Sequence, residues 1–267
     1  MKFKVVCLQI NGSQNPKKNF EKLDLMFKSS KIKNVDLICL PECSTIFSDN
    51  IINLENYFLN WHKKFLSFFE SFARKKKVHI MIGSTPHMKK NKKFFNRSII
   101  FNDRGLKISH YDKINLFDVN LNSKEKYMES KIYDSGKKLT VTKLPWGKLG
   151  MTVCYDIRFP SIYKKLAKKG ANLFTIPAAF TYTTGKAHWD ILVRNRAIEN
   201  GCFVFAPAQC GNHDNGRITF GNSMIVNPWG KVLKRANFSE EIISSNIDLR
   251  EVINCRDRIP ATTNYKL

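Results

Sequence analysis

Apolar and polar residues follow two different periods along the first third of the chain. Continuous apolar runs predict buried strands at residues 3–10, 35–40 and 78–83. Apolar side chains at helical spacing predict helices at residues 16–31 and 51–77, the first beginning with an Asn15 N-cap and Pro16 at the first helical position. Strands alternating with helices predict a sheet that is covered by helices.

The rest of the chain continues this pattern with hairpins and two more helices. Turn residues predict hairpins around Asn102–Gly105, around Pro145-Trp-Gly147 and around Asn227–Gly230. Further helices are predicted at residues 160–169 and 188–200, and further strands at residues 173–177 and 202–206. No linker or low-complexity break interrupts the pattern. We therefore predict one continuous α/β domain over residues 1–267.

Composition adds limits to this picture. The chain has 267 residues, of which 43% are hydrophobic and 25% charged, so it can bury a sizeable core. The first apolar run is too short for a signal peptide and no run reaches the length of a membrane span, so we expect a cytoplasmic protein without a membrane partner. The seven cysteines show no CxxC pair and no regular spacing with histidine, which argues against a metal site and a disulfide framework.

The formal net charge is +23, which raises the question of nucleic acid binding. The lysines are spread over the whole length, with only short runs at Arg74–Lys77 and Lys89–Lys93, and no nucleic-acid-binding motif accompanies them. We interpret them as a solvated surface with incidental affinity for polyanions, and we predict no specific nucleic acid partner.

A candidate nucleophile lies in the segment Leu149–Pro160. A short apolar run ends at Cys154, and Pro160 then opens a predicted helix. A thiol at such a strand-to-helix turn is exposed, and backbone N–H groups at the helix start stabilise a thiolate or an adjacent oxyanion. The alternative is that Cys154 is a packed core residue, as most free cysteines are.

Two other residues fit the same reaction. Hydrolysis of an amide by a thiol needs a base for the thiol proton and a donor for the oxyanion. Glu42 follows the second predicted strand and Lys113 follows a hairpin, and carboxyl ends of parallel strands share one edge of a sheet. We therefore expect both to lie near Cys154, although Glu42 taken alone could cap a helix and Lys113 could be one more solvated lysine.

The segments around these residues resemble the nitrilase superfamily of carbon–nitrogen hydrolases. Its three signature segments match Leu40–Cys43, Tyr111–Asp118 and Gly150–Pro160. The resemblance implies an α-β-β-α sandwich, usually paired through its helix layer into a homodimer, with no metal and no organic cofactor. It also implies a catalytic triad of Glu42, Lys113 and Cys154.

A fourth segment, Tyr127–Ser130, is similar to the family region that carries a second glutamate. The resemblance therefore implies that Glu129 positions the substrate or handles a proton. The alternative is an exposed loop acid.

The second half of the chain resembles most closely the deaminated glutathione amidase branch. The similar segments are residues 176–189, 194–200, 208–211 and 220–230. That branch releases 2-oxoglutarate and cysteinylglycine, whereas the neighbouring omega-amidase branch, which shares the Thr-Gly and Ala-His-Trp segments, acts on 2-oxoglutaramate or succinamate. Residues 119–126 depart from the branch, which usually has a Gly- and Pro-containing loop at this point beside the substrate site.

Both substrates are small acidic amides, so the pocket needs cationic and hydrogen-bonding side chains. The candidates for substrate binding are Tyr155, Arg158, Thr183, Thr184 and His188. Arg158 could instead form an ion pair with Asp156 or a nearby acid. His188 could simply pack at the start of its helix, and Tyr155 could pack instead of lining the pocket.

Four other functions are considered at this stage. The chain could be an amidohydrolase for N-carbamoyl amino acids, or one for polyamines, although a polyamine would favour acids in the pocket. A glutaminase role is disfavoured because no synthetase domain is predicted. A catalytically idle scaffold that binds a polyanionic partner is disfavoured by the complete triad.

Overall fold

The computed structural model describes residues 1–89, 93–123 and 125–264. Part of the lysine run at 89–93 and residue 124 of the 119–126 segment lie outside these ranges. The strands are β1 (Lys2–Gln9), β2 (Leu37–Cys39), β3 (His79–Met88), β4 (Phe94–Phe101), β5 (Lys107–Asp112), β6 (Asp118–Asn120), β7 (Lys126–Met128), β8 (Thr140–Lys143), β9 (Lys148–Met151), β10 (Leu173–Thr175), β11 (Phe203–Ala206), β12 (Cys210–Asn212), β13 (Ile218–Phe220), β14 (Met224–Val226), β15 (Val232–Arg235) and β16 (Glu241–Asp248).

The α-helices are α1 (Pro16–Lys28), α2 (Ile51–Asn60), α3 (His62–Lys76), α4 (Pro160–Lys168), α5 (Tyr182–Thr184), α6 (Asp190–Asn200) and α7 (Arg250–Arg258). Short 3₁₀ helices occur at Ser30–Ile32, Glu129–Lys131 and Cys154–Arg158. A π-helical turn, Gly185–Trp189, joins α5 to α6. No helix within the described ranges is long and apolar enough to span a bilayer.

Two main sheets repeat the same plan. The first has the strand order β16-β1-β2-β3-β4-β5, and the second has the order β15-β14-β11-β10-β9-β8. The three central strands of each sheet are parallel and the outer strands are antiparallel. The parallel strands therefore direct their carboxyl ends, and the loops that follow them, to one edge of each sheet.

The sheets pack face to face because alternate residues of their strands are apolar on both sides. In β1, Val5 and Cys7 belong to the core between the sheets, whereas Val6 and Leu8 belong to the core beneath α1, α2 and α3. The core between the sheets is continuous with the apolar residues of α4 and α6 on the far side of the second sheet. The four layers are therefore helix, sheet, sheet and helix, so the fold expected from the family resemblance is confirmed.

The predicted strands and hairpins are confirmed, but two predicted helices have different limits. The helix predicted at residues 51–77 is broken at Trp61, whose φ of −123° leaves the helical region. The break places the buried His62 ring within 3.3 Å of the Tyr57 hydroxyl. The helix predicted to begin at His188 begins earlier, because the π-helical turn extends helical backbone back to Tyr182, with Thr181 as the N-cap.

Several elements, including the short pair β6 and β7, were not predicted from the sequence. Strand β16 pairs with β1 along its whole length, and α7 follows it directly. Strands β12 and β13 form a hairpin whose turn contains Asn215-Gly216, a recognisable hairpin signal. This hairpin lies beside the candidate active site described next.

Candidate active site

Glu42 lies in the turn after β2, and β3 fixes that turn. The Ser84 hydroxyl accepts a hydrogen bond from the Cys43 N–H at 2.9 Å. A Cβ atom on Gly83 would lie 2.1 Å from the Leu40 carbonyl oxygen, so only glycine permits this close approach of the two backbones. The Glu42 carboxylate is thereby held in the interior, where its side chain is almost fully buried. The alternative that Glu42 caps a helix is wrong.

Lys113 follows β5 and lies between two carboxylates. Its ammonium donates to Glu42 Oε1 at 2.9 Å and to Glu129 Oε2 at 2.8 Å. Asn96 connects the same two acids by donating to Glu42 Oε1 at 3.0 Å and to Glu129 Oε1 at 2.9 Å. Lys113 is only 2% exposed, so the alternative of a solvated lysine is wrong.

Glu129 is also not an exposed loop acid. It begins the 3₁₀ helix Glu129–Lys131, and its Oε2 accepts a further hydrogen bond from the Phe117 N–H at 2.7 Å. Three donors, from Lys113, Asn96 and Phe117, therefore hold its carboxylate in one orientation.

Cys154 lies at the first residue of a 3₁₀ helix, three residues after β9. Its φ of +46° is in the left-handed region, which non-glycine residues rarely adopt and which is concentrated at functional sites. The Cys154 N–H donates to the Pro177 carbonyl at 2.9 Å. The thiol is buried, as the core alternative required, but it is buried against the Glu42 carboxylate and the Ala179 N–H and not in apolar packing alone.

Asp156 fixes the turn that carries Cys154. Its Oδ2 accepts hydrogen bonds from the Tyr111 hydroxyl at 2.8 Å and from the Val153 N–H at 2.9 Å. Its Oδ1 accepts from the backbone and side chain of Asn115 at 3.0 and 2.8 Å. Because these donors occupy both oxygens, the alternative that Asp156 pairs with Arg158 is wrong.

The electrostatics separate the protonation states of the base and the nucleophile. Burial alone would raise the pKa of Glu42, but Lys113, with smaller contributions from Cys154 and Arg217, brings it below its ordinary value. Burial and then the Glu42 charge raise the pKa of the Cys154 thiol well above its ordinary value. Burial would lower the pKa of Lys113, but Glu129 and Glu42 raise it well above its ordinary value. The resting site therefore contains a carboxylate, an ammonium and a neutral thiol.

Of the residues predicted for substrate binding, Arg158 and His188 are in contact with each other, whereas Tyr155 and the two threonines contact other residues. Arg158 ends the 3₁₀ helix of Cys154, with its guanidinium 5.3 Å from the Phe180 ring centroid and 3.3 Å from His188 Nδ1. Tyr155 packs edge-on against Phe117 at 5.2 Å. His188 is exposed in the π-helical turn and contacts Arg158, so it is not a packing histidine.

The two threonines have protein partners of their own. The Thr183 hydroxyl donates to Glu125 Oε2 at 2.9 Å, which joins α5 to the segment at 119–126. The Thr184 hydroxyl contacts that of Thr181 at 2.8 Å, within the N-cap of α5.

Several functional candidates were missed from the sequence. Asn96 lies in a predicted strand and Asp156 in a motif, and nothing in the local sequence marks them as partners of Glu42 and of the turn that carries Cys154. Arg217 lies on the β12–β13 hairpin, its guanidinium 4.8 Å from the Phe47 ring centroid and 4.9 Å from that of Tyr127. The Asn215-Gly216 turn signal would have placed Arg217 on a hairpin, but not at this site.

No group of three or more histidine, cysteine, aspartate or glutamate side chains in the described ranges has the arrangement of a metal site. The site itself places a neutral thiol beside a carboxylate, with an ammonium donor next to both.

Comparison with known proteins identifies near full-length relatives. A family model described as carbon-nitrogen hydrolase matches residues 4–257. The chain is 36% identical to a deaminated glutathione amidase of Dictyostelium discoideum, over 97% of this chain and 92% of the relative. It is 29% identical to omega-amidase NIT2 of Danio rerio, over 98% of this chain and 94% of the relative.

Two solved structures are also similar. The NitFhit protein of C. elegans superposes with a TM-score of 0.91 at 30% identity, and the match covers 99% of this chain and 65% of that longer protein. Saccharomyces cerevisiae Nit3, described as a member of branch 10 of the nitrilase superfamily, gives a TM-score of 0.85 at 29% identity, covering 100% of this chain and 97% of that one.

Proposed function

This chain belongs to the carbon–nitrogen hydrolase family and hydrolyses amide bonds, and we propose that it uses Cys154 to cleave deaminated glutathione into 2-oxoglutarate and cysteinylglycine. The family resemblance seen in the sequence motifs is confirmed. One observation carries the catalytic proposal: Glu42, Lys113 and Cys154, which are far apart in sequence, meet in one buried polar network. The substrate is proposed from the similarity to deaminated glutathione amidases.

The first half of the reaction forms a thioester. The Glu42 carboxylate takes the proton of the Cys154 thiol as the sulfur attacks the amide carbonyl carbon. The resulting oxyanion is stabilised by the Lys113 ammonium and by the backbone N–H of Tyr155. The carbon–nitrogen bond then breaks, the amine leaves with the proton held by Glu42, and the acyl group remains bonded to the Cys154 sulfur.

The second half of the reaction removes the acyl group. Glu42, again a carboxylate, takes a proton from water as the water oxygen attacks the thioester carbon. The same donors stabilise the second oxyanion. The carbon–sulfur bond breaks, the Cys154 sulfur recovers its proton from Glu42, and the carboxylic acid is released.

Glu129 supports this sequence by holding Lys113. Its carboxylate and that of Glu42 fix the ammonium from two sides, at 2.8 and 2.9 Å. Positioning of this kind lowers the barrier because the oxyanion donor needs no reorganisation when charge develops. We propose that Glu129 also helps to position the substrate amide.

We propose that Arg158 binds the carboxylate of the acyl group. It lies four residues after the nucleophile, and within the described residues no aspartate or glutamate forms an ion pair with it. A guanidinium suits a carboxylate because it presents paired N–H donors. We propose that the other side chains lining the substrate pocket around this carboxylate are His188, Tyr155, Thr183 and Thr184.

Omega-amidase activity on 2-oxoglutaramate or succinamate is the second candidate. The similarity to omega-amidase NIT2 supports it, and Arg158 alone would suffice for a substrate with a single carboxylate. An amidohydrolase for N-carbamoyl amino acids is a weaker alternative. A catalytically idle scaffold is disfavoured. Burying two carboxylates and an ammonium together costs desolvation free energy, and a reaction gives a reason for the chain to retain them.

A substrate panel tests the proposal. Wild-type protein is assayed with deaminated glutathione, 2-oxoglutaramate and an N-carbamoyl amino acid, beside the Cys154→Ala variant. We expect the highest kcat/KM with deaminated glutathione and turnover at background in the variant. Preference for the N-carbamoyl amino acid, or near-wild-type turnover by Cys154→Ala, would contradict the proposal.

We further propose a homodimer and a cytoplasmic location. Large apolar side chains are exposed on α6, on α7 and beside them, among them Ile198, Trp229 and Ile253. Such a patch is typical of a surface that a second copy covers. All seven cysteines are free, which agrees with a reducing compartment.

A further inference from the structure

An arginine outside the triad lies in the loops that surround Glu42. The Arg217 guanidinium is between two aromatic rings, 4.8 Å from the Phe47 centroid and 4.9 Å from the Tyr127 centroid. Phe47 follows Glu42 by five residues and Tyr127 precedes Glu129 by two. Arg217 therefore lies on the wall that carries the base, whereas Arg158 lies on the segment that carries the nucleophile.

The position of Arg217 is built by several contacts. The Arg217 carbonyl accepts a hydrogen bond from the His213 N–H at 2.9 Å, which closes the β12–β13 hairpin. The His213 ring is stacked on Phe47 at 4.0 Å between centroids, and its Nδ1 donates to the Gly12 carbonyl at 2.7 Å. The hairpin is thus tied to the Glu42 loop, and the guanidinium is pre-oriented by packing.

The charge of Arg217 has no carboxylate partner in the described part of the chain. None of the ion pairs there includes it. Glu125, an acid of the neighbouring segment, accepts hydrogen bonds from Thr183 and Asn122 instead. A half-buried arginine stacked between rings and lacking an anionic partner presents its remaining N–H donors to a ligand.

The mechanism identifies which part of a substrate reaches this wall. Glu42 gives its proton to the leaving nitrogen, so that nitrogen and its substituents must lie on the Glu42 side of the scissile carbon. After burial and Lys113, Arg217 also acts on Glu42 through its charge and contributes to the lowered pKa of that carboxyl.

We infer that Arg217 binds a carboxylate on the leaving group, so that the preferred substrate is an amide whose amine product ends in a carboxylate. The inference deepens the proposed function and rests on it. A dipeptide leaving group places its terminal carboxylate roughly 7 Å from the scissile nitrogen when extended, since each residue spans about 3.3–3.6 Å. Two arginines on different walls then match the two ends of a substrate with two carboxylates, whereas ammonia from 2-oxoglutaramate gives Arg217 nothing to bind.

The test compares substrates that differ only at the leaving group. Deaminated glutathione, its C-terminal amide and 2-oxoglutaramate are assayed with wild type, Arg217→Gln and Arg217→Lys. We expect wild type to lose about 10- to 100-fold in kcat/KM on amidation of the substrate, as for one lost charged hydrogen bond. Arg217→Gln should lose a similar factor on deaminated glutathione, treat the acid and the amide alike, and keep its rate with 2-oxoglutaramate. Arg217→Lys should recover part of the preference for the acid.

A matched control removes a different arginine charge. Arg104 is exposed in the turn between β4 and β5, beside the start of β3 and so at the opposite edge of the sheet from Glu42. Arg104→Gln should preserve all three rates.

The possible failures are distinguishable. If Arg217→Gln loses activity equally on all three substrates, or if wild type does not distinguish the acid from its amide, Arg217 has a structural role and the inference is wrong while the proposed function stands. If wild type cleaves 2-oxoglutaramate but not deaminated glutathione, the proposed substrate is wrong and the inference falls with it.

Discussion

Glu42 and Cys154 are both buried beside Lys113, but they differ in protonation because the Glu42 charge adds to the effect of burial at the thiol. The Lys113 ammonium is 2.9 Å from the Glu42 carboxylate and keeps that group ionised, whereas ionisation of the thiol is opposed by both burial and the Glu42 charge. The thiol therefore loses its proton only as it attacks. At this site the base, and not a lowered thiol pKa, activates the nucleophile.

The pH dependence of kcat/KM follows from the lowered pKa of Glu42. The carboxylate is the active form of the base, so activity falls as pH drops through its pKa, and that pKa lies below the ordinary 4.5. We expect the acid limb of kcat/KM to lie below pH 4.5, measured under conditions in which circular dichroism shows folded protein. An acid limb near pH 6 or 7 would contradict this assignment of the base.

Removing the Glu42 charge should change the titration of Cys154. In Glu42→Gln the thiol pKa should fall relative to wild type, because the carboxylate that raises it is gone while Lys113 remains. Turnover should fall by about 10²- to 10⁴-fold because the base is lost. Thiolate absorbance is measured against matched variants that also carry Cys154→Ala, which subtract the other cysteines. An unchanged or higher thiol pKa would count against the arrangement.

The chemistry of the triad was predictable from the sequence, but its supports were not. Glu42, Lys113 and Cys154 each follow a strand and lie in recognisable motifs. Asn96 and Arg217 lie in segments whose local sequence gives no sign of the site, because only the folded chain brings them to it. A residue that acts through contacts distant in sequence has no local signature.

At the scale of elements, the 3₁₀ helix of Cys154 depends on Asp156. Four hydrogen bonds reach this buried carboxylate from Tyr111, Val153 and Asn115. In Asp156→Asn the amide NH₂ would lie against hydrogen-bond donors, which should lower the free energy of unfolding by about 1–3 kcal/mol. We also expect a fall in kcat of about 100-fold from misplacement of the thiol.

Urea unfolding and steady-state kinetics check this prediction. The control is Asp103→Asn, in the β4–β5 turn at the far edge of the sheet, which should change neither quantity. Equal effects of the two substitutions would mean that Asp156 has no special role in holding Cys154.

The types of the elements were predictable where the hydrophobic periodicity was strong, but the boundaries of two helices were not. The apolar spacing of residues 51–77 continues through the break at Trp61, so the pattern alone could not locate it. The π-helical turn at Gly185–Trp189 shifts the helical register, and period-based reasoning assumes one register.

At the scale of the molecule, the triad is assembled from two sheets and not from one. Glu42 and Lys113 follow strands of the first sheet, whereas Cys154 follows β9 of the second. The sequence predicts one shared edge, whereas in the structure the face-to-face packing aligns the edges of two sheets and so brings the three residues together. Strand β16 pairs with β1 from the far end of the chain and contributes Ile243 and Ile247 to the core between the sheets, and local patterns do not reveal this pairing.

The proposed dimer gives a prediction at this scale. Trp229 and Ile253 are 56% and 59% exposed beside α6 and α7. The double substitution Trp229→Asp with Ile253→Asp should weaken dimerisation by 100-fold or more, since each buried large apolar side chain contributes about 1.5–3 kcal/mol. Light scattering after size exclusion measures the mass. Leu25→Asp, at a 69% exposed position on the opposite helix layer, should remain dimeric, and a monomeric wild type would refute the proposal.

The most direct test of the central claim is to identify the residue that carries the acyl group. Rapid acid quenching during turnover of deaminated glutathione, followed by peptide mass mapping, should find one 2-oxoglutaryl group on Cys154. The competing thiol is Cys43, adjacent to the base, and Cys43→Ala should still accumulate the adduct. An adduct on Cys43, or undiminished hydrolysis by Cys154→Ala, would contradict the account.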